Sequence, residues 1–187
     1  MENIYTGSRI HARLGSLWIA ASERGLALLD FNHTDESFQH LVRRRFARVG
    51  EVHFVAKRVP VVDILDQVEA YLQGRRRDFD FASDGRSHPA GAAIDWRGLP
   101  PFQEKVLQLT YAIPYGSTCT YADLARQLGK PQAARAVGQA EARNPIPLVI
   151  PCHRVVGSDG AYHGYGGPGG ISTKKWLLEM ERAALSS

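Results

Sequence analysis

Cysteine is scarce in this chain. Its 187 residues hold two, Cys119 and Cys152, too few for a disulfide scaffold or a cysteine-built zinc cage. Both are expected to be reduced thiols. Long apolar runs are missing as well: none approaches the roughly 20 residues that a membrane helix needs. The stretch from Met1 to Gly15 lacks the basic-then-apolar layout of a secretion signal. These absences lead to the expectation of an intracellular, cytoplasmic protein without membrane contact. There is no internal repeat. Gly164 to Gly170 is locally glycine-rich but does not join a strand to a helix as a nucleotide loop would. His11, His33, His40, His53 and His88 lack ligand spacing, so no metal and no cofactor are expected.

The composition is that of a folded globular protein, 44% hydrophobic and 22% charged. The length suits one large domain or two small ones. The net charge is +4 and most of the cations are arginine. Such a balance permits phosphate contacts and does not by itself establish them.

Two halves differ in texture. Over residues 8–31, Ile10, Leu14, Leu17 and Ile19, then Leu26, Leu28, Leu29 and Phe31, read as two or three short strands, with turns expected at Gly15-Ser16 and Glu23-Arg24-Gly25. Phe38, Leu41, Val42 and Phe46 recur at helical spacing, as do Val62, Leu65, Val68 and Leu72. A further strand is expected at Val52 to Val55. The chain is charged, then polar, to Pro89 and small from Ala90 to Ala93, and roughly 84–98 reads as a connector.

Beyond Pro100 helices dominate. One carries Phe102, Val106 and Leu109 and stops before Pro114. Thr120 is a candidate N-cap for a helix from Tyr121 to Leu128, with Asp123 in its first turn and Gly129 as its stop. A second helix is expected from Pro131 to about Arg143. Two short helices joined by a glycine-containing turn fit a helix-turn-helix, or an ordinary helical corner that meets no DNA. The fold class expected is α+β: a small N-terminal α/β domain with a short antiparallel sheet, then a mainly helical C-terminal domain containing the helix-turn-helix.

The stretch richest in chemistry is Asn144-Pro-Ile-Pro-Leu-Val-Ile-Pro-Cys-His-Arg-Val-Val156. Leu148, Val149 and Ile150 should be buried and should deliver Cys152 from the core to a pocket. A thiol becomes a strong nucleophile only as thiolate, which needs a base or a positive surrounding. His153 follows directly, but neighbours on extended chain point opposite ways, so the pair needs a bend or a bridging water.

The string Ile-Pro-Cys-His-Arg-Val at 150–155 resembles the active-site signature of the O6-alkylguanine-DNA alkyltransferases, the methylated-DNA–protein-cysteine methyltransferase family. Ala134-Arg135-Ala136-Val137-Gly138, Arg143-Asn144-Pro145 and Trp176-Leu177-Leu178 followed by Glu181 are similar to that family in order and nearly in register. The resemblance is strong across 99–187 and weaker across 1–98. It implies a ribonuclease-H-like domain over 1–86, a connector over 87–98 and a DNA-binding, alkyl-accepting domain over 99–187. It further implies a suicidal, single-turnover repair reaction: base flipping, then irreversible transfer of an alkyl group from O6-alkylguanine in duplex DNA to Cys152, with O4-alkylthymine as a second substrate.

The same resemblance assigns roles. Cys152 would accept the alkyl group, His153 would be the base and Glu181 would orient it. Tyr121 would contact the phosphate and donate to guanine N3. Asn144 would fix the hinge before the active-site segment. Arg135 would enter the stack from the minor groove, on a helix made smooth by Ala134 and Gly138, with Arg143 nearby. Carbonyls of Cys152 and Val155 would accept from the guanine amine, Tyr165 would close the pocket, and a backbone N–H near Gly166 would donate to O6. Double-stranded DNA is the partner implied, bound by a monomer.

Two features depart from the family. Gly166 to Ile171 is about two residues longer than usual before Trp176, which leaves the pocket rim and the tolerance for bulky alkyl groups open. The N-terminal half has no cysteine for the zinc that some relatives carry. Two other readings remain beside repair: a DNA-binding alkylation sensor or regulator, which would need neither Cys152 nor His153, and a thiol hydrolase using both.

Overall fold

The computed structural model describes residues 1–55, 59–80 and 93–186. The chain forms two compact units, Met1–Leu99 and Pro100–Ser187.

In the first unit, β1 (Glu2–His11), β2 (Gly15–Ser22) and β3 (Gly25–Phe31) form an antiparallel meander, and β4 (Val52–Val55) adds to β1 in parallel, giving the order β3-β2-β1-β4. The sheet is therefore mixed, because the helix α1 (Asp35–Phe46) carries the chain back across the sheet before β4 begins. The first strand starts at Glu2, well before the apolar alternation becomes visible. The expected Gly15-Ser16 turn lies three residues earlier, at 12–14, and Gly15 instead opens β2 with a left-handed φ of 76°. Ile10 points to solvent, 84% exposed.

Helix α1 starts with a capping box: Ser37 N donates to Thr34 Oγ1 and Thr34 N to Ser37 Oγ. It buries Phe38, Val42 and Phe46 against Ile4, Ala20, Ala27 and Leu28. Burying one such large side chain is worth about 1.5–3 kcal/mol. The other helix, α2 (Val59–Leu72), buries Leu65, Val68 and Leu72, while Val62 is exposed.

Of the expected connector, residues 84–92 lie outside the described residues. Residues 93–99 belong to the first unit. Leu26 N donates to Ala93 O and Asp95 N to Leu26 O. Buried Asp95 accepts from Ser22 Oγ at 2.6 Å and from Arg97, which also forks onto Glu2 at 2.8 and 3.0 Å. A doubly held guanidinium of this kind fixes the chain geometrically as well as energetically.

In the second unit, α3 (Pro101–Tyr111), α4 (Tyr121–Gln127) and α5 (Ala134–Glu141) pack on a core of Val106, Ile113, Leu124, Ala125, Val137, Ala140 and Val155. Strand β5 (Cys119–Thr120) pairs in parallel with β6 (Val155–Val156), and α6 (Ile171–Leu185) closes the chain. Thr120 caps α4 through Asp123. Gly129, at φ +70°, stops it, and Lys130 N returns to Ala125 O. Helix α5 begins at Ala134 rather than Pro131 and ends at Glu141. Pro131 lies in the turn, and Ala133 offers no side-chain cap. Cys119 is only half-buried, against the rim of this core.

Candidate functional site

Cys152 is set in place by the segment before it. Leu148, Val149 and Ile150 are buried as expected. Leu148 takes a left-handed φ of 73° in a tight turn, where Ile150 N donates to Ile146 O. A leucine pays for that conformation, typically about 1–3 kcal/mol. Asn144 holds the turn from both sides: its Nδ2 donates to Ile150 O at 2.8 Å and its Oδ1 accepts from Ile146 N at 3.0 Å. Past Pro151 the chain enters a single 3-10 turn, Cys152–Arg154. This is the bend that the Cys152-His153 adjacency required.

The turn sends its three side chains into different surroundings. Cys152 borders a cavity of about 640 Å³ that Tyr121, Arg135, Glu141, Tyr165 and Gly166 also line. Its thiol is pushed up to about 12, by burial first and by nearby Glu141 second, against a hydrogen bond from Asn144. At rest it is a thiol, and something in the site must take its proton.

His153 is fully buried, and its Nε2 meets Glu181 Oε1 at 2.9 Å. Burial disfavours the Glu181 anion, but hydrogen bonds from His153 and Arg154 outweigh it and hold the carboxyl at about 2. An ionised carboxylate only accepts, so Nε2 carries the proton and Nδ1 is the basic nitrogen. Burial also lowers the His153 pKa, which keeps the ring neutral. The neutral ring is thus held in the tautomer that can receive a proton.

Arg154 had no role in the sequence reading. Its Nε donates to both Glu181 oxygens at 3.1 Å, its Nη2 to Oε1 at 2.8 Å and its Nη1 to Ile113 O at 2.6 Å. Gly116 N donates to Glu181 Oε2 at 2.9 Å. Lys174 is equally unexpected: a buried ammonium whose Nζ donates to Val155 O at 2.6 Å and His163 O at 2.9 Å, 5.7 Å from the Tyr121 ring centre. Glu141 is the third, a buried carboxyl on the cavity wall. Nothing in the local sequence separates these three from other charged residues, and burial marks them out.

The remaining expected residues divide clearly. Tyr121, Ala134, Arg135, Gly138, Tyr165 and Gly166 line the cavity with Cys152. Burial pushes the Tyr121 phenol up to about 12, and its hydroxyl lies 3.4 Å from His163 O. Arg135 is exposed on α5. His153, Glu181 and Asn144 stand behind the wall. Val155 is buried away from the cavity, and its carbonyl already accepts from Lys174. Arg143 is exposed and does not line the cavity; its carbonyl accepts from Gln103. Among the described residues no three His, Cys, Asp or Glu side chains come together to hold a metal, and no helix is long and apolar enough to cross a membrane. His88 lies outside the described residues.

Fold and site together define a protein with one thiol set in a cavity, backed by a buried His–Glu pair and bordered by two short helices. Comparison with known proteins gives the class its name. Residues 101–183 match the DNA binding domain of 6-O-methylguanine DNA methyltransferase, and residues 8–84 match its ribonuclease-like domain. The chain belongs to the 6-O-methylguanine DNA methyltransferase family. It is 35% identical to the methylated-DNA–protein-cysteine methyltransferase of Methanosarcina barkeri over 92% of this chain and 94% of that one. Identity to the Mycobacterium tuberculosis protein of the same name is 43%, in a match that spans 64% of each chain. Among solved structures it is similar to Mycobacterium tuberculosis OGT in complex with DNA, with a TM-score of 0.71 and 32% identity over 97% of this chain and 94% of that one. It is also similar to the O6-methylguanine-DNA methyltransferase of the archaeon Pyrococcus kodakaraensis, with a TM-score of 0.62 and 28% identity over 95% and 98%.

Proposed function

We propose that the protein repairs duplex DNA by direct reversal, moving the alkyl group of O6-alkylguanine irreversibly onto Cys152. The observation that carries this reading is the placement of Cys152 on the wall of a cavity roomy enough to admit a base, with the buried His153–Glu181 pair directly after it. The mycobacterial relative solved with DNA supports a nucleic-acid partner.

Helices α4 and α5 act as a helix-turn-helix, and the small-residue surface around Ala134 and Gly138 lets α5 approach the minor groove closely. The target nucleotide must leave the stack, at a few kcal/mol, and Arg135 fills the gap it leaves. The flipped base enters the cavity beneath Tyr165 and Gly166. His153 Nδ1 takes the Cys152 proton, directly or through water, and Glu181 stabilises the cation that forms. The sulfur then attacks the alkyl carbon. The C–S bond forms as the C–O bond breaks, and the guanine leaves with its charge on the ring. Tyr121 donates to N3, where part of that charge develops. The thioether product has no route back, so each chain acts once, as a monomer.

A sensor without repair would not need the proton-accepting tautomer that Glu181 imposes on His153. The test is intact-mass spectrometry after mixing with O6-methylguanine duplex. A gain of one methylene per chain, absent in Cys152→Ala, is the expected result. An unchanged mass for the folded protein refutes the reading.

A further inference from the structure

Glu141 is the acidic group of the cavity that the repair chemistry leaves unused. It ends α5, where the helix dipole disfavours an anion, and it is 6% exposed. Its Oε1 bonds to Thr110 Oγ1, while Oε2 is buried with no hydrogen-bond partner. Thr110 Oγ1 also lies 3.0 Å from Val106 O, which can only accept. A hydroxyl has one proton. If Thr110 gives it to Val106, the carboxyl must supply the proton of the Glu141–Thr110 bond. A neutral Glu141 satisfies both bonds of Thr110, whereas an anion there leaves one of them without a proton.

Charge points the same way. Thr110 of α3 and Lys174 of α6 act on Glu141, and the charge of Glu141 acts in turn on Cys119 of β5, Tyr121 of α4 and Cys152 of the 3-10 turn. Lys174 is the buried cation among them, and it attracts both Glu141 and Cys152. Arg154 is committed to Glu181, and Arg135 is exposed. One buried ammonium thus faces two acids. A buried site carries an unpaired charge only at a high cost, so it can hold one anion comfortably and not two.

We propose that Glu141 is a positioning residue for alkyl acceptance that acts through Cys152: the cavity accommodates the thiolate while Glu141 keeps its proton, and acceptance slows once Glu141 gives it up. This rests on Cys152 being the alkyl acceptor. Burial places the Glu141 carboxyl at about 7, so the handover falls near neutral pH. Alkyl transfer should then pass through a maximum as pH rises, because the thiolate gains from alkalinity while Glu141 loses its proton.

The experiment is a pH series of single-turnover methyl transfer from O6-methylguanine duplex to the full chain, as wild type, Glu141→Gln and Glu141→Leu. Both variants remove the charge by different chemistry, so one can report if the other folds poorly. The wild-type rate is expected to fall on the alkaline side and the variant rates to keep rising, exceeding wild type by about tenfold there, the equivalent of one pKa unit. A parallel series measures iodoacetamide labelling of Cys152 by peptide mapping, without DNA. The labelling curve is expected to shift to lower pH in both variants. Superimposable curves overturn the proposal. So does loss of transfer at every pH in folded variants, which would make Glu141 the base. If wild type accepts no methyl group at any pH, the repair reading fails, and the labelling series still decides the role of Glu141.

Discussion

Arg154 lies along the Glu181 carboxylate, with its Nε 3.1 Å from both oxygens and its Nη2 2.8 Å from Oε1. The ion pair joins the residue two past Cys152 to the last helix. It also holds in place the carboxylate that His153 Nε2 meets, and with it the orientation of the ring. The guanidinium fork, rather than charge alone, supplies that rigidity.

Breaking this pair should therefore unsettle both fold and site. Arg154→Leu leaves Glu181 buried with His153 as its main partner and is expected to cost about 3–5 kcal/mol. Arg154→Lys should recover part of the loss, since a lysine restores the charge without the fork. Urea unfolding midpoints check both, and an unshifted midpoint for Arg154→Leu would rule out a structural role for the pair.

Acid should act on Glu181 with a defined sign. Its carboxyl is held down at about 2 in the fold, below the ordinary 4.5, by the hydrogen bonds from His153 and Arg154. The stability it contributes is present above pH 4.5 and is lost as pH falls toward 2. Glu141 has the opposite sign: raised from 4.5 to about 7 by burial, it favours the fold below 4.5 and loses that contribution as pH rises toward 7. Thermal melts across pH should show Glu181→Gln without the acid-side increment. Glu141→Gln should gain on wild type only toward neutral pH.

Arg135 is exposed, so Arg135→Ala should melt like wild type. Its effect should appear only where a base must be held out of the stack. Transfer from duplex DNA is expected to slow by about ten- to a hundredfold, since each 1.4 kcal/mol of lost help with flipping is tenfold in rate. Transfer from free O6-benzylguanine should not change. Equal slowing on both substrates would place Arg135 in the chemistry rather than in DNA handling.

The rim of the cavity should set substrate size. Thr173 Oγ1 donates to Pro168 O and Ser172 Oγ to Gly169 O, which tie the longer loop to α6. Gly166 of this loop lines the cavity. With about 640 Å³ of space, benzyl transfer from duplex DNA is expected to be at least as fast as methyl transfer. A strong methyl preference in paired rate measurements would show that the loop closes the site rather than opening it.

The sequence alone marked out the Cys152 thiol, the histidine beside it and the helices around them. Spacing and string identity register these directly: Cys152-His153 are adjacent, Thr120-Asp123 is a local cap, and the apolar run before Pro151 is contiguous. Only the tertiary structure decided which charged residues are buried. Arg154, Glu141 and Lys174 look like surface residues in sequence, and each becomes part of the site through a partner 19 to 31 residues away. The same holds for residues 93–99, most of which fall in the stretch read as a connector until Asp95 meets Ser22 across 73 positions. Local pattern fixes helices and turns because their hydrogen bonds are short-range. The ionisation of a buried group depends on what the rest of the chain brings against it.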